Sequence, residues 1–363
     1  MSTEFPCGAQ LAVVSQSGCA LHFFDLPSCQ RSAIVPMLAE PHEVRFDPVR
    51  RLLLVSHTYR SGYFADHDEK SHEVTVVDVD THEIVRVIDI APEHAPHALA
   101  LAGDLIYVSV EEGPNGPGGL IAVDPVGGEV TSRHSADASV PHWAVVAPDG
   151  RTAYTTNKTA PYVSVVDLTG GRAVRRIPVV GSEELALSPS GHRLYVATPT
   201  TGTAPIASAR CAVKVIDTQT LEEVASIPVP EMPSAVHVTD DGMLLVGSWP
   251  VKSEPDRIPF DDGFLSVFDT RTTVLSGRLR VGVCPIDIAS VPGGGVAFVA
   301  NLISGTVTVV DLAALAVSTT VVVDVARAGG DLFQGTHNQG AHGLAYIPPI
   351  ASSTPDRKDG ADR

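Results

Sequence analysis

The chain is short of the residues that announce most common chemistries. Its 363 residues include five cysteines, Cys7, Cys19, Cys29, Cys211 and Cys284, an odd set with no C-x-x-C pair. That excludes a disulfide framework and a thiolate zinc site, and fits free thiols in a reducing compartment. Lys and Arg number 25 against 42 Asp and Glu, for a net charge of −17, and no basic run occurs. A phosphate backbone is repelled by such a surface, so nucleic acid is not an expected partner. No stretch approaches the roughly 18 uninterrupted apolar residues of a membrane span. The segment Met1 to Gln10 has neither a basic leader nor an apolar h-region, and the expectation is a soluble, cytoplasmic protein with no membrane partner. G-x-S-x-G, H-E-x-x-H, P-loop and dinucleotide signatures are also missing.

What is present is material for a large core: 44% hydrophobic residues against 18% charged, a balance that argues against disorder. The exception is 351–363, rich in Ser, Pro, Asp and Lys, expected to be a disordered tail after one domain spanning 1–350.

A run of alternating β-branched residues closed by Asp recurs seven times: LHFFD to Asp25, VTVVD to Asp78, LIAVD to Asp124, VSVVD to Asp167, VKVID to Asp217, LSVFD to Asp269 and VTVVD to Asp311. Val, Ile and Phe suit a pleated surface. An Asp at the strand end can accept a hydrogen bond from the backbone two residues on and start a turn. Two further strands lie upstream of each run, as in Trp143-Ala-Val-Val-Ala, the turn Pro148-Asp149-Gly150 and Thr152-Ala-Tyr-Thr-Thr-Asn157, and one lies downstream. Successive Asp residues are 53, 46, 43, 50, 52 and 42 positions apart, close to the roughly 40–50 residues of a four-stranded propeller blade. The N-terminus supplies three strands, near 11–16, 20–24 and 31–35, and the C-terminus one orphan strand at 343–348. Together they complete a seventh blade and remove the free sheet edges. The sequence therefore predicts an all-β, seven-bladed β-propeller of four-stranded antiparallel blades, with its ring closed by the N- and C-terminal strands in one blade.

Ala153-Tyr-Thr-Thr-Asn157, Leu194-Tyr-Val-Ala-Thr198 and Ala297-Phe-Val-Ala-Asn301, each before a strand ending in Asp, resemble the repeats of YVTN-type, lactonase-like seven-bladed propellers. The resemblance spans nearly the whole chain and implies the fold. It leaves the activity open, because that family includes binding proteins, lactonases and lyases.

Aligned blades expose a second repeated position, the first residue of the innermost strand, usually after Pro: His42, His97, His142, Glu183, Ser234, Ile286 and His342. Innermost strands surround the channel, so one position per blade forms one ring around the axis. Neutral imidazoles converging from rigid strands make a transition-metal cage. The expected ligands of a divalent Fe, Cu or Zn ion are His42, His97, His142 and His342, with Glu183 either a fifth ligand or a carboxylate that orients an imidazole. The competing reading is that Pro-His starts each strand and the imidazoles cap backbone groups in a wet channel.

Strand direction puts the ends of the second strands, and the loops after them, on the same face as this ring. His57 and His337 are thereby candidates for proton transfer or extra ligation, and Tyr59, Arg60 and Trp249 for substrate contact. Asn157, Asn301, Glu111 and Glu112 share that face. His237, of opposite parity to Ser234, is expected to pack between blades.

Three functions fit. The first is a metal-dependent enzyme acting on a small organic molecule at the channel mouth, of oxidoreductase or oxygenase type, or of lyase or isomerase type. A four-histidine centre on a propeller axis is similar in geometry to the iron site of carotenoid cleavage oxygenases, whose sequence motifs are absent here. The second is a non-catalytic YVTN-type scaffold binding a peptide or protein partner. The third, implied by the family resemblance, is a metal-free lactonase-like hydrolase, for which Arg60, Glu111 and Glu112 are the obvious material.

Overall fold

A computed structural model describes residues 5–63, 66–170, 173–199, 211–250, 261–324 and 339–350. His337 and the segment 351–363 lie outside the described residues. Those described form seven four-stranded antiparallel sheets and one short ribbon, Gly62–Tyr63 with Asp66–His67. No helix among them is long and apolar enough to cross a membrane.

Blade 1 runs outward from the channel as Val44–Asp47, Leu52–Tyr59, Lys70–Asp78 and Glu83–Asp89. The innermost strands of blades 2 to 6 are His94–Ala102, Pro141–Val146, Leu185–Leu187, Met232–Val238 and Pro285–Ser290. In blade 7 the C-terminal strand Leu344–Ile347 lies innermost and pairs antiparallel with Gln10–Ser15, followed by Ala20–Asp25 and Gln30–Pro36. The ring thus closes within one sheet, as the strand count required.

The core lies between blades. The two faces of each sheet alternate with period two, so Leu194 packs toward blade 3 while its neighbour Tyr195 packs toward blade 5. One buried cluster fills each interface. Leu21, Phe23, Leu53 and Val55 join blades 7 and 1, and Leu11, Val13, Phe298 and Val309 join blades 6 and 7. Removing a side chain such as Phe298, fully buried here, costs about 3–5 kcal/mol. All seven repeat aspartates start their turns. Asp78, for example, accepts from the backbone N–H of Asp80 and Thr81, and Asp269 from those of Arg271 and Thr272.

Each innermost strand begins irregularly, and that irregularity aims the ring. In blade 1 the His42 N–H donates to the Ser56 carbonyl while the Ser56 N–H donates to the Glu43 carbonyl. The same pattern sets Glu183 and Glu184 against Ala197, and His342 and Gly343 against Val14. Two residues opposing one is a β-bulge, which bends the strand and redirects its side chains. Register shifts mark the same place in blades 2, 3, 5 and 6. Just before the prolines of blades 2, 3 and 6, Ala95, Val140 and Cys284 hold φ of 54°, 55° and 58°, a left-handed conformation that disfavours side chains, β-branched ones above all.

Candidate metal centre

The bulges bring the four aligned histidines into one arc at the channel mouth. Ring centroids are 4.0 Å apart for His342 and His42, 4.4 Å for His42 and His97, and 3.8 Å for His97 and His142. His142 Nε2 lies 3.0 Å from Glu183 Oε1, and Lys158 Nζ lies 2.6 Å from the same oxygen. All five predicted ring residues are therefore together, across blades 7, 1, 2, 3 and 4.

The histidines are 1–8% exposed. Burial lowers all four pKa values, to about 4 for His142 and His342, with neighbouring imidazoles and Lys158 lowering those of His42 and His97 further. They are neutral near pH 7, and each ring then carries one lone-pair nitrogen able to ligate. Both nitrogens of His97 and Nδ1 of His142 are buried with no hydrogen-bond partner among the described residues. A buried polar atom left unpaired costs about 1–3 kcal/mol, so this corner is one where a group that takes an imidazole lone pair or accepts its N–H would relieve that cost.

Glu43 joins the cluster although the sequence alignment did not select it. Its Oε1 is 3.3 Å from His42 Nδ1 and 3.2 Å from His342 Nδ1, and burial pushes its carboxyl well above the usual range. One donor atom each from His42, Glu43 and His97 lie within 4.8 Å of one another, a spacing that a small shift of side chains closes onto one ion. Glu183 differs. Burial alone would raise its carboxyl, but Lys158 and His142 outweigh this and hold it at about 2. With both partners engaged, Glu183 takes the orienting place of the two foreseen for it.

The other mouth residues are mostly occupied by one another. Tyr59 is buried and its hydroxyl donates to Glu111 Oε1 at 2.7 Å, while Lys70 reaches Glu111 and Glu112. Arg60 pairs with Glu73. His57 is fully buried, bonded through Nε2 to Thr75 Oγ1 at 2.8 Å within its own blade. The amide groups of Asn157 and Asn301 donate inside their own hairpins, to Tyr162 and Ser164 and to Thr306 and Thr308. Trp249 is half-buried at its strand end. These placements follow from closure: a ring of hairpins ending on one face pairs its own polar groups before any ligand arrives.

His237, expected between blades, bonds across from blade 5 to Ser290 of blade 6 at 2.9 Å and also lines the channel cavity. Glu43, Glu184 and Asp287 line the same space one residue beyond the ring position. Simple alternation sends a neighbouring residue to the opposite face, and the bulge overrides that rule. The signal was available in the residue after each ring position, which is acidic in three blades of seven.

The fold and this cluster define a seven-bladed propeller with a histidine-rich channel mouth. Among solved structures the chain is similar to hydrazine synthase of Kuenenia stuttgartiensis, with TM-score 0.62 and 20% identity over 75% of this chain and 76% of that one. It is also similar to the dihydro-heme d1 dehydrogenase NirN, solved in complex with DHE, with TM-score 0.58 and 16% identity over 89% and 65%. A functionally unknown protein of Desulfotomaculum acetoxidans gives TM-score 0.65 and 12% identity over 94% and 99%. At these identities the likeness shows the fold alone. No family model and no curated protein matches the chain, so the YVTN-type, lactonase-like resemblance stands on its repeats.

Proposed function

We propose that this chain is a metal-dependent enzyme whose imidazoles His42, His97, His142 and His342, with Glu43 beside them, hold one divalent transition metal ion and act on a small organic molecule in the channel. The observation that carries the reading is the set of partnerless nitrogens on His97 and His142, neutral and buried among two further imidazoles. Imidazole donors suit Fe, Cu and Zn. When bound, such an ion supplies either electron transfer or Lewis-acid polarisation of a substrate oxygen.

The protein's own contribution is orientation and exclusion. Glu183, anchored by Lys158, accepts from His142 Nε2 and thereby turns Nδ1 inward, the usual way a carboxylate fixes an imidazole's tautomer and angle. The blade interfaces keep the donors rigid, and their burial to 1–8% exposure keeps bulk water off them. The metal-free lactonase reading draws on Arg60, Glu111 and Glu112, and the ion pairs already made by those residues give it no particular support.

Metal analysis of the purified full-length chain tests this directly. About one transition metal ion per chain is expected, lost in both His42→Ala and His97→Ala while the fold persists. Metal-free wild-type protein that takes up no Fe, Cu or Zn on reconstitution would refute the assignment.

A further inference from the structure

Beneath the histidine arc the channel opens into a cavity of about 310 Å³, lined among others by Glu43, Arg45, Trp143, Glu184, His237 and Asp287. Glu43 belongs to both places, so the cavity meets the cluster directly. Its size is at the small end of the roughly 300–1,000 Å³ of ligand sites.

The acids in this cavity are tied down. Glu184 Oε2 accepts the Val236 N–H at 2.9 Å, and Asp287 Oδ2 accepts the Leu344 N–H at 2.8 Å. Arg45 is not. It is ringed by protein yet exposed to the lumen, and Asp287 acts on it through space without an ion pair or hydrogen bond to it among the described residues. A guanidinium presents a planar fork of donors that matches a carboxylate two bonds at a time. Left unpaired inside a channel, it is, among the described residues lining that cavity, the Lys or Arg that can take an anion from solution.

We infer that the channel below the arc binds a small molecule carrying a single carboxylate, seated on the Arg45 guanidinium, with its other end at the His42–Glu43–His97 corner. One charge is favoured over two because Arg45 is the sole Lys or Arg lining the cavity among the described residues, so a second buried carboxylate would be left without a cationic partner. Length agrees: the His42–Glu43 bulge opposes Ser56 and Arg45 opposes Leu54, two ladder steps or about 7 Å at roughly 3.3 Å per residue, a span of a few carbons. The apolar walls contributed by Leu99, Val146 and Leu187 suit the aliphatic middle of such a molecule. Only the position of its far end rests on the metal reading; the Arg45 contact stands without it.

The test titrates butyrate, its uncharged analogue butyramide, and inorganic phosphate onto the full-length chain, metal-stripped and metal-loaded, by saturation-transfer NMR with calorimetry. Wild-type protein should bind butyrate in both forms and more tightly than butyramide or phosphate. Arg45→Met should weaken butyrate by about tenfold or more, the worth of a charge-assisted pair, and Arg45→Lys, which keeps charge without the fork, should fall between. Thermal melts confirm that each variant is folded, and Arg45→Lys decides the matter should Arg45→Met not fold. Equal butyrate affinity in wild type and both variants overturns the proposal, as does butyramide binding as tightly as butyrate. Phosphate binding more tightly than butyrate overturns the single-carboxylate assignment. A chain that takes up no metal but still binds butyrate through Arg45 removes the metal reading and leaves this one standing.

Discussion

The seven blades offer the channel mouth the same backbone position, yet they divide into two groups. Blades 7, 1, 2, 3 and 4 present His342, His42, His97, His142 and Glu183, while blades 5 and 6 present Ser234 and Ile286. Ser234 is satisfied inside the protein, its Oγ donating to the Pro285 carbonyl at 2.5 Å, and Ile286 packs against the core between blades 6 and 7. On the histidine side, four ring nitrogens, both of His97 and Nδ1 of His142 and of His342, have no hydrogen-bond partner among the described residues. The same structural slot is satisfied within the protein in blades 5 and 6 and left with unpaired nitrogens on the histidine side. Polar accounting therefore separates the two groups better than position does.

That contrast can be broken by mutation. The largest effect is expected at His97. His97→Ala should abolish stoichiometric metal, whereas Ser234→Ala should keep it and lose only about 1 kcal/mol of stability, the net worth of one hydrogen bond. Metal quantification beside chemical denaturation compares them, and equal metal loss in both would dissolve the distinction.

Acid comes next, through buried imidazoles outside the arc. His22, His57 and His237 are each lowered to about 4, first by burial, with Arg31 adding to the effect at His22, Arg60 at His57 and Arg45 at His237. Their folded values lie below the unfolded 6.5, so the unfolded chain binds their protons more readily. Stability should be full above pH 6.5, fall as pH drops from 6.5 toward 4, and level off below that. At about 1.4 kcal/mol per pKa unit per group, melting temperatures measured across that window should drop steeply, and a flat profile would mean these histidines are not held neutral.

Smaller effects are expected around the arc. Lys158→Met leaves Glu183 with His142 as its remaining polar contact and should weaken metal affinity by about 10–100-fold, the usual consequence of disturbing an orienting carboxylate, with little change in secondary structure by circular dichroism. At Gly343 an added Cβ would stand 2.8 Å from Glu43 Cα and 2.8 Å from Val44 N. Gly343→Ala should therefore destabilise the chain by about 1–3 kcal/mol and displace Glu43, seen as lower Tm and slower metal uptake. Unchanged values for either variant would show that the carboxylates do not support the imidazoles.

Most of the architecture was legible in the sequence because propeller repeats state it many times over: seven Asp-closed strands, even spacing and an orphan C-terminal strand. The ring was legible for the same reason, since one aligned position carried four imidazoles. What stayed hidden came from local backbone geometry. Period-two reasoning sends Glu43 away from His42, and the β-bulge that opposes both to Ser56 keeps them together. His237 was read as an inter-blade residue by the parity rule and does reach blade 6, but its place in the wall of the channel cavity was not foreseen. Lys158 sits after its strand, where no repeat marks it, and only three-dimensional closure sets it against Glu183. Tyr59, Arg60 and Glu111 were visible as mouth residues, but the pairing of Tyr59 with Glu111 and of Arg60 with Glu73 was not, because pairing depends on loop conformation more than on residue type.

X-ray absorption spectroscopy at the edge of whichever metal the purified chain retains tests the convergence of the imidazoles most directly. Outer-shell scattering from three or more histidines, with first-shell nitrogens at about 2.0–2.1 Å if the ion is zinc, is expected in wild type and should fall by one imidazole in His142→Ala. A first shell of oxygen or sulfur without imidazole scattering, or a spectrum unchanged by His142→Ala, would contradict a metal held by the channel's histidine arc.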